Sequence, residues 1–440
     1  MSRNTGRGGL SRAPRTFTPG LAIMALFLSA YLAGCARPAD TQAAAPAVAT
    51  PAIVPAAIPI QISAEKRLAR AVVQAMTTEE KCAQLLMIAV GIEPAVPKDF
   101  ARLIETVPAG AILLLGYNIA ESPAKIMSLA AEFQKIAGVS GKGVPFLITV
   151  DHEGGTVYRL GAAATRIPGA SRAGAFLEKN PAPEASANDA AARLFSLYKN
   201  SAAQLSLLGF SLNLAPVLEP LNDANREFLR YRSYGADEKT VSRAGGIFIG
   251  AMREGGVLAV AKHFPGTGGG DPHEAATYSG VSTERDLLPF REAVAAYDLG
   301  ALMVSHAIAP DIDPALPVSV SAPALSWIRR RLDFKGIILT DDVNMKAVSV
   351  ERSPEEAAVM AVCAGADMIM YLDERGITKA HAALVNAVRE ERLPQARLDE
   401  AAVRVLEQKV ILKLWHLAGE LTASAADNSA LEQRLREFAA

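Results

Sequence analysis

Eight compact apolar runs recur along this chain, and their rhythm restricts its folds more than any other feature. They read AQLLMIAVG (83–91), AILLLG (111–116), PFLITVD (145–151), SLNLAPV (211–217), GVLAVAKHF (256–264), ALMVSHA (301–307), GIILTDD (336–342) and ADMIMYL (366–372). Helix-like text such as ESPAKIMSLAAEFQKIA, ASANDAAARLFSLYKNSAAQLSLLG and PEEAAVMAVCAG lies between them. Continuous apolar runs suit parallel strands that are covered on both faces. Eight strand–helix units within about 380 residues predict one α/β domain, a single (β/α)8 barrel of the TIM type. A doubly wound open sheet is the alternative, but no G-x-G-x-x-G follows the early runs.

Polar residues punctuate the ends of these runs. Asp151 closes the third, Lys262 and His263 the fifth, His306 follows the sixth, and Asp341 and Asp342 close the seventh. In such a barrel the C-terminal strand ends form one mouth, where catalysis takes place. Taken singly, each group has a structural explanation, such as a satisfied core histidine. Six ionisable groups at one mouth are harder to explain as packing, because charges are rarely buried without a partner or a task.

Several motifs carry these residues: VDHEGGTVYRL (150–160), LNLAPVLEP (212–220), RSYG (232–235), KHFPG (262–266), DPH (271–273) and TDDVNM (340–345). In this order they resemble the motif set of family 3 glycoside hydrolases, in particular the single-domain bacterial β-N-acetylglucosaminidases, or β-hexosaminidases. The resemblance runs from about residue 65 to 415. EEKCAQLLM (79–87) and RLDEAAVRVLEQK (397–409) match its edges.

The resemblance implies a retaining glycosidase. Asp341 matches the nucleophile that forms a glycosyl-enzyme, and a retaining site also needs a proton donor beside the leaving oxygen. In this branch that donor is a histidine oriented by an aspartate two residues earlier, here His273 and Asp271. Such a carboxylate fixes the tautomer and stabilises the imidazolium. The glycines of AKHFPGTGGGDPHEA (261–275) would then let a loop swing the pair over the sugar, rather than cradle phosphate. Asp151, Arg159, Arg232, Lys262 and His263 match positions that hold sugar hydroxyls, and Met345 would pack beside the nucleophile. Glu153 and Asp342 read as supporting groups, as does His306. His381 and His416 fall on expected outer helices and read as surface groups.

The chain departs from the family pattern at some positions. GTG, with Thr267, stands where GHG is usual, and the loop before DPH is two residues short. DHEGGT replaces DQEGGR, and Pro272 stiffens the link between Asp271 and His273. The nucleophile and the dyad are untouched, while the leaving-group side of the site is altered.

The N-terminus sets the compartment. Arg3, Arg7, Arg12 and Arg15 precede the apolar run Leu21–Gly34, too short for a comfortable membrane span, and LAGC ends at Cys35. This resembles a bacterial lipobox, so residues 1–35 read as a lipoprotein signal peptide with Cys35 the lipidated residue. Residues 36–62 are Ala/Pro-rich and read as a tether. A barrel domain is expected over 63–420 and a tail over 421–440. The protein would be exported and lipid-anchored to the cell envelope. The formal net charge of -1 gives no pull toward nucleic acid. Of three cysteines, Cys82 and Cys363 remain as buried thiols, too few for a cysteine metal site. Neither a metal nor a cofactor is implied.

An exported lipoprotein of this type suits removal of terminal GlcNAc from peptidoglycan fragments. A β-glucosidase or a glycoside phosphorylase on the same frame is the alternative, since a neutral histidine base does not repel phosphate as a carboxylate would. A non-catalytic sugar-binding lipoprotein is a third reading, but it would be expected to have lost Asp341 or His273.

Overall fold

The computed structural model describes residues 63–416, apart from 92, 120–121, 182–184, 280–283, 350 and 374–375. Cys35, the tether and the tail lie outside the described residues.

The eight runs form eight strands: β1 (Leu86–Ala89), β2 (Ala111–Leu114), β3 (Leu147–Val150), β4 (Leu212–Asn213), β5 (Leu258–Phe264), β6 (Ala301–Val304), β7 (Ile337–Asp342) and β8 (Met368–Tyr371). Each pairs in parallel with its sequence neighbours, and Leu86 of β1 pairs with Ile369 of β8 to close the barrel. The fold is therefore the expected (β/α)8 barrel. Nearly every strand residue is buried, because side chains on one face fill the lumen and those on the other meet the helices.

Local signals start the outer helices. Asp237 accepts the N–H of Thr240 to cap Glu238–Glu254. Ser353 accepts the N–H of Glu356 ahead of Pro354 at the first position of Pro354–Ala364. Thr77 and Glu80 form a reciprocal capping box on the short helix Thr78–Gln84. That helix and Gln395–Ile411 sit at the floor of the barrel, where Lys81 pairs with Asp399 at 2.8 Å.

Two expectations are corrected here. His381 does lie on an outer helix, Ile377–Arg389, but its ring is buried and Nε2 donates to the Glu79 carbonyl at 2.8 Å. The helix Thr78–Gln84 packs over it, a tertiary contact that helical periodicity does not reveal. Cys363 is exposed, although Cys82 is buried as expected, and both thiols are free. On Pro354–Ala364 the residues Ala358, Ala361 and Val362 face inward, and Cys363 is turned about 100° from Val362. His416 is exposed, as expected.

Candidate active site

The C-terminal strand ends converge on a chain of charges. Lys262, at the end of β5, places Nζ 2.7 Å from Asp151, just beyond β3, and 2.7 Å from Glu153. Arg232 grips Glu153 through two bonds of 3.0 and 2.7 Å, and Arg159 lies 3.9 Å from Asp151. Glu153 is 6% exposed, so it is a carboxylate held between two cations rather than a group open to ligand. Burial would raise its pKa, but Lys262 and Arg232 outweigh burial and hold it below the usual carboxylate range. Asp151 and Arg159 are partly exposed and remain available to a ligand.

Strand β7 delivers two carboxylates to different surroundings. Asp341 Oδ1 accepts the Asp342 N–H at 2.8 Å. Burial would raise the Asp341 carboxyl, but its surroundings, His263 foremost, then His306, the Asp342 N–H and Lys262, outweigh burial and hold it below the usual carboxylate range. Asp342 is buried, and burial pushes its pKa up. Its Oδ1 accepts from Asn344 N–H, Asn344 Nδ2 and Leu372 N–H at 3.2, 2.8 and 3.2 Å. Asp342 thus ties β7 to the exit of β8, while Asp341 is the carboxylate that its neighbours hold low. Met345 is buried, and its N–H donates to the Asp342 carbonyl at 3.0 Å.

His306 supports the same strand end. Nε2 donates to the Asp342 carbonyl at 2.9 Å, so Nδ1 accepts from the Ser319 hydroxyl at 2.7 Å. Burial lowers the imidazole pKa and outweighs the opposing pull of Asp341, which leaves His306 neutral.

The loop after β5 bears the acid/base candidates. Gly266, Gly268 and Gly270 take φ of 146°, 72° and 98°, a region other residues rarely enter. Asp271 and His273 are exposed. Asp271 Oδ1 accepts the backbone N–H of His273 at 2.9 Å, so the bond between them is to the main chain and not to the ring. The Pro272 carbonyl accepts the Ala347 N–H at 3.1 Å, and Glu274 pairs with Lys346 at 3.2 Å. Both contacts reach the segment that directly follows the Asp341–Asp342 pair. The return limb joins a small antiparallel ribbon, Ile308–Ala309 with Asp313–Pro317, through Ile308 N–H to Thr277 and Ser279 N–H to Ile308 at 2.8 and 2.9 Å.

The strand ends and the loops that follow them therefore gather Asp151, Arg159, Arg232, Lys262, His263 and Asp341, and the loop carrying Asp271 and His273 is pinned beside them. Sequence reasoning passed over Glu219. It is 2% exposed and bonds both His263 and Thr267. Its signal was the same as for the others, a carboxylate just beyond the fourth apolar run.

Residues 77–408 match the glycosyl hydrolase family 3 N-terminal domain. The β-hexosaminidase LpqI of Mycobacterium tuberculosis is 28% identical over 411 residues, covering 90% of this chain and 97% of its own. A β-hexosaminidase of Nitrosospira multiformis is 30% identical over 269 residues, 59% of this chain and 72% of the relative. Among solved structures, the family 3 β-N-acetylglucosaminidase from Paenibacillus sp. str. FPU-7 superposes with a TM-score of 0.70 at 32% identity, covering 77% of this chain and 63% of that one. The β-N-acetylhexosaminidase of Beutenbergia cavernae gives 0.66 at 26%, covering 75% and 98%. The chain belongs to glycosyl hydrolase family 3 and is a glycosidase acting on O-glycosyl bonds.

Proposed function

We propose that the protein is an exo-acting, retaining β-N-acetylglucosaminidase that removes terminal GlcNAc from peptidoglycan fragments. The observation that carries this reading is the ionised Asp341 at the end of β7, beside the cluster built on Lys262, His263 and Asp151. A fixed, charge-stabilised carboxylate suits attack on an anomeric carbon, and the cluster offers directional partners to sugar hydroxyls. The relatives named β-hexosaminidase and β-N-acetylglucosaminidase support the sugar. His273 is the acid/base and Asp271 its orienting partner. In the reaction Asp341 attacks the anomeric carbon while His273 gives its proton to the leaving oxygen. Water then attacks the glycosyl-enzyme with His273 as base. Export and a lipid anchor at Cys35 would place the enzyme at the cell envelope.

Aryl glycosides of GlcNAc, glucose and xylose, each with and without phosphate, test the activity. Preference for GlcNAc with no phosphate dependence is expected. Sugar phosphate as the product would replace hydrolysis with phosphorolysis. His273→Ala should lose roughly 10²–10⁴-fold on a GlcNAc–MurNAc disaccharide, whose alkoxide needs a proton. The loss in glycosylation should be far smaller with an aryl glycoside, and azide should rescue turnover. Equal losses without rescue would move the proton donor elsewhere. Cys35→Ser should release the protein from membranes, and retention would refute the anchor.

A further inference from the structure

The carboxylate of Glu219 is buried behind His263, and both its oxygens are engaged. The chain reaches this position because residues 216–218 continue alongside β5: Lys262 N–H donates to Pro216 and Leu218 N–H to Lys262, at 2.9 and 2.7 Å. Glu219 Oε1 lies 2.6 Å from His263 Nδ1. Oε2 accepts the Thr267 N–H at 2.6 Å and the Thr267 hydroxyl at 3.0 Å. Thr267 is the third residue of the loop that carries Asp271 and His273.

The chemistry of these groups is one-sided. An ionised carboxylate can only accept hydrogen bonds, so the Nδ1 facing Glu219 has to bear a proton. When His263 is neutral, its Nε2 is then a lone pair. The cations of the same mouth, Lys262, Arg159 and Arg232, can only donate, whereas a sugar hydroxyl gives one hydrogen bond as well as taking others. We infer that Glu219 is a positioning residue. Its carboxylate fixes the His263 proton on Nδ1 so that Nε2 accepts from a hydroxyl of the bound sugar, and it holds Thr267 at the root of the acid/base loop. The inference rests on the reading of this mouth as the sugar site.

The isosteric variant Glu219→Gln makes a sharp prediction. The Thr267 N–H needs an acceptor, so the amide oxygen takes the place of Oε2 and the amide NH2 faces Nδ1. His263 must then accept at Nδ1 and carry its proton on Nε2. Histidine-selective ¹⁵N labelling reads this directly, since the chain has only six histidines and His263→Asn identifies the resonance. In the wild type Nδ1 should be protonated near neutral pH. In Glu219→Gln the tautomer should invert, KM for the preferred aryl glycoside should rise about tenfold or more, and kcat should change less than KM. Glu219→Asp, which keeps an acceptor-only group, should retain the wild-type tautomer. Thr267→Val keeps its N–H and should also leave it intact. A bare Nδ1 in the wild type, or an unchanged tautomer and KM in Glu219→Gln, would overturn the inference. A fall in melting temperature with no tautomer change would do the same, by reducing Glu219 to a structural group. If the wild type prefers another sugar, the proposed substrate falls, yet the tautomer still decides the role of Glu219.

Discussion

Asp341 and Asp342 are the same side chain one residue apart, and the strand sends them to opposite faces. The carboxyl of one is held low by the groups around it, and the other saturates an oxygen with three donors. Asp341→Asn should lower kcat by several orders of magnitude with little change in melting temperature. Asp342→Asn should do the reverse, losing about 1–3 kcal/mol of stability while retaining far more activity. A fluorinated glycosyl donor followed by peptide mass spectrometry should label Asp341, and label on Asp342 would reverse the assignment. At this scale the sequence was legible where a charged residue closed an apolar run. Glu219 ended such a run too, but its partners lie 44 and 48 positions away, and nothing local announced them. The same holds for Arg232, whose bidentate hold on Glu153 spans 79 positions.

The loop from Gly266 to Ser279 behaves as an element, fixed at its root by Glu219, at its middle by Ala347 and on its return limb by Ile308. Gly268 is the position at which a side chain cannot be accommodated. A Cβ there would lie 2.2 Å from the Tyr278 carbonyl oxygen, and its φ is 72°. Gly268→Ala should therefore displace the limb carrying His273. The expected result is a fall in kcat of about tenfold or more on a disaccharide, a smaller fall on an aryl glycoside, and an unfolding temperature within a few degrees of wild type. Equal kcat on both substrates would show that the loop absorbs the change. The barrel strands were readable because their buried faces leave continuous apolar text. The fourth is broken: only Leu212–Asn213 form regular strand, and the run rejoins β5 through the bridge of Val217 with Lys262. The ribbon at Ile308–Ala309 and Asp313–Pro317 was invisible, since IAPDIDPALP has neither apolar continuity nor alternation.

Across the whole molecule, the floor of the barrel is closed by residues far apart in sequence. Lys409 is fully buried, and its Nζ donates to the neutral amide of Gln84 at 2.7 Å. Burial lowers its pKa to about 7. The unfolded chain therefore binds more protons than the native one between about pH 7 and the ordinary lysine value near 10.4, and stability rises with pH across that window. Lys409→Met should be more stable than wild type at pH 7 by several degrees in melting temperature, and the gap should narrow toward pH 10. A gap that is constant with pH would mean the ammonium is solvated.

The helices Ala64–Ala75 and Gln395–Ile411 also meet on this floor, with Lys66 3.8 Å from Glu407 near the start of one and the end of the other. In connectivity terms the barrel is a ring whose seam could lie elsewhere. A short linker joining these two helices, with new termini cut at the exposed Glu390–Arg392 turn, would begin the chain with its last helix and run through all eight strands in unbroken order. That permuted enzyme should fold and keep kcat within a few-fold of the parent, because every catalytic loop lies at the opposite end. An insoluble or inactive permutant would show that the last helix has to follow β8 in the chain for the barrel to form.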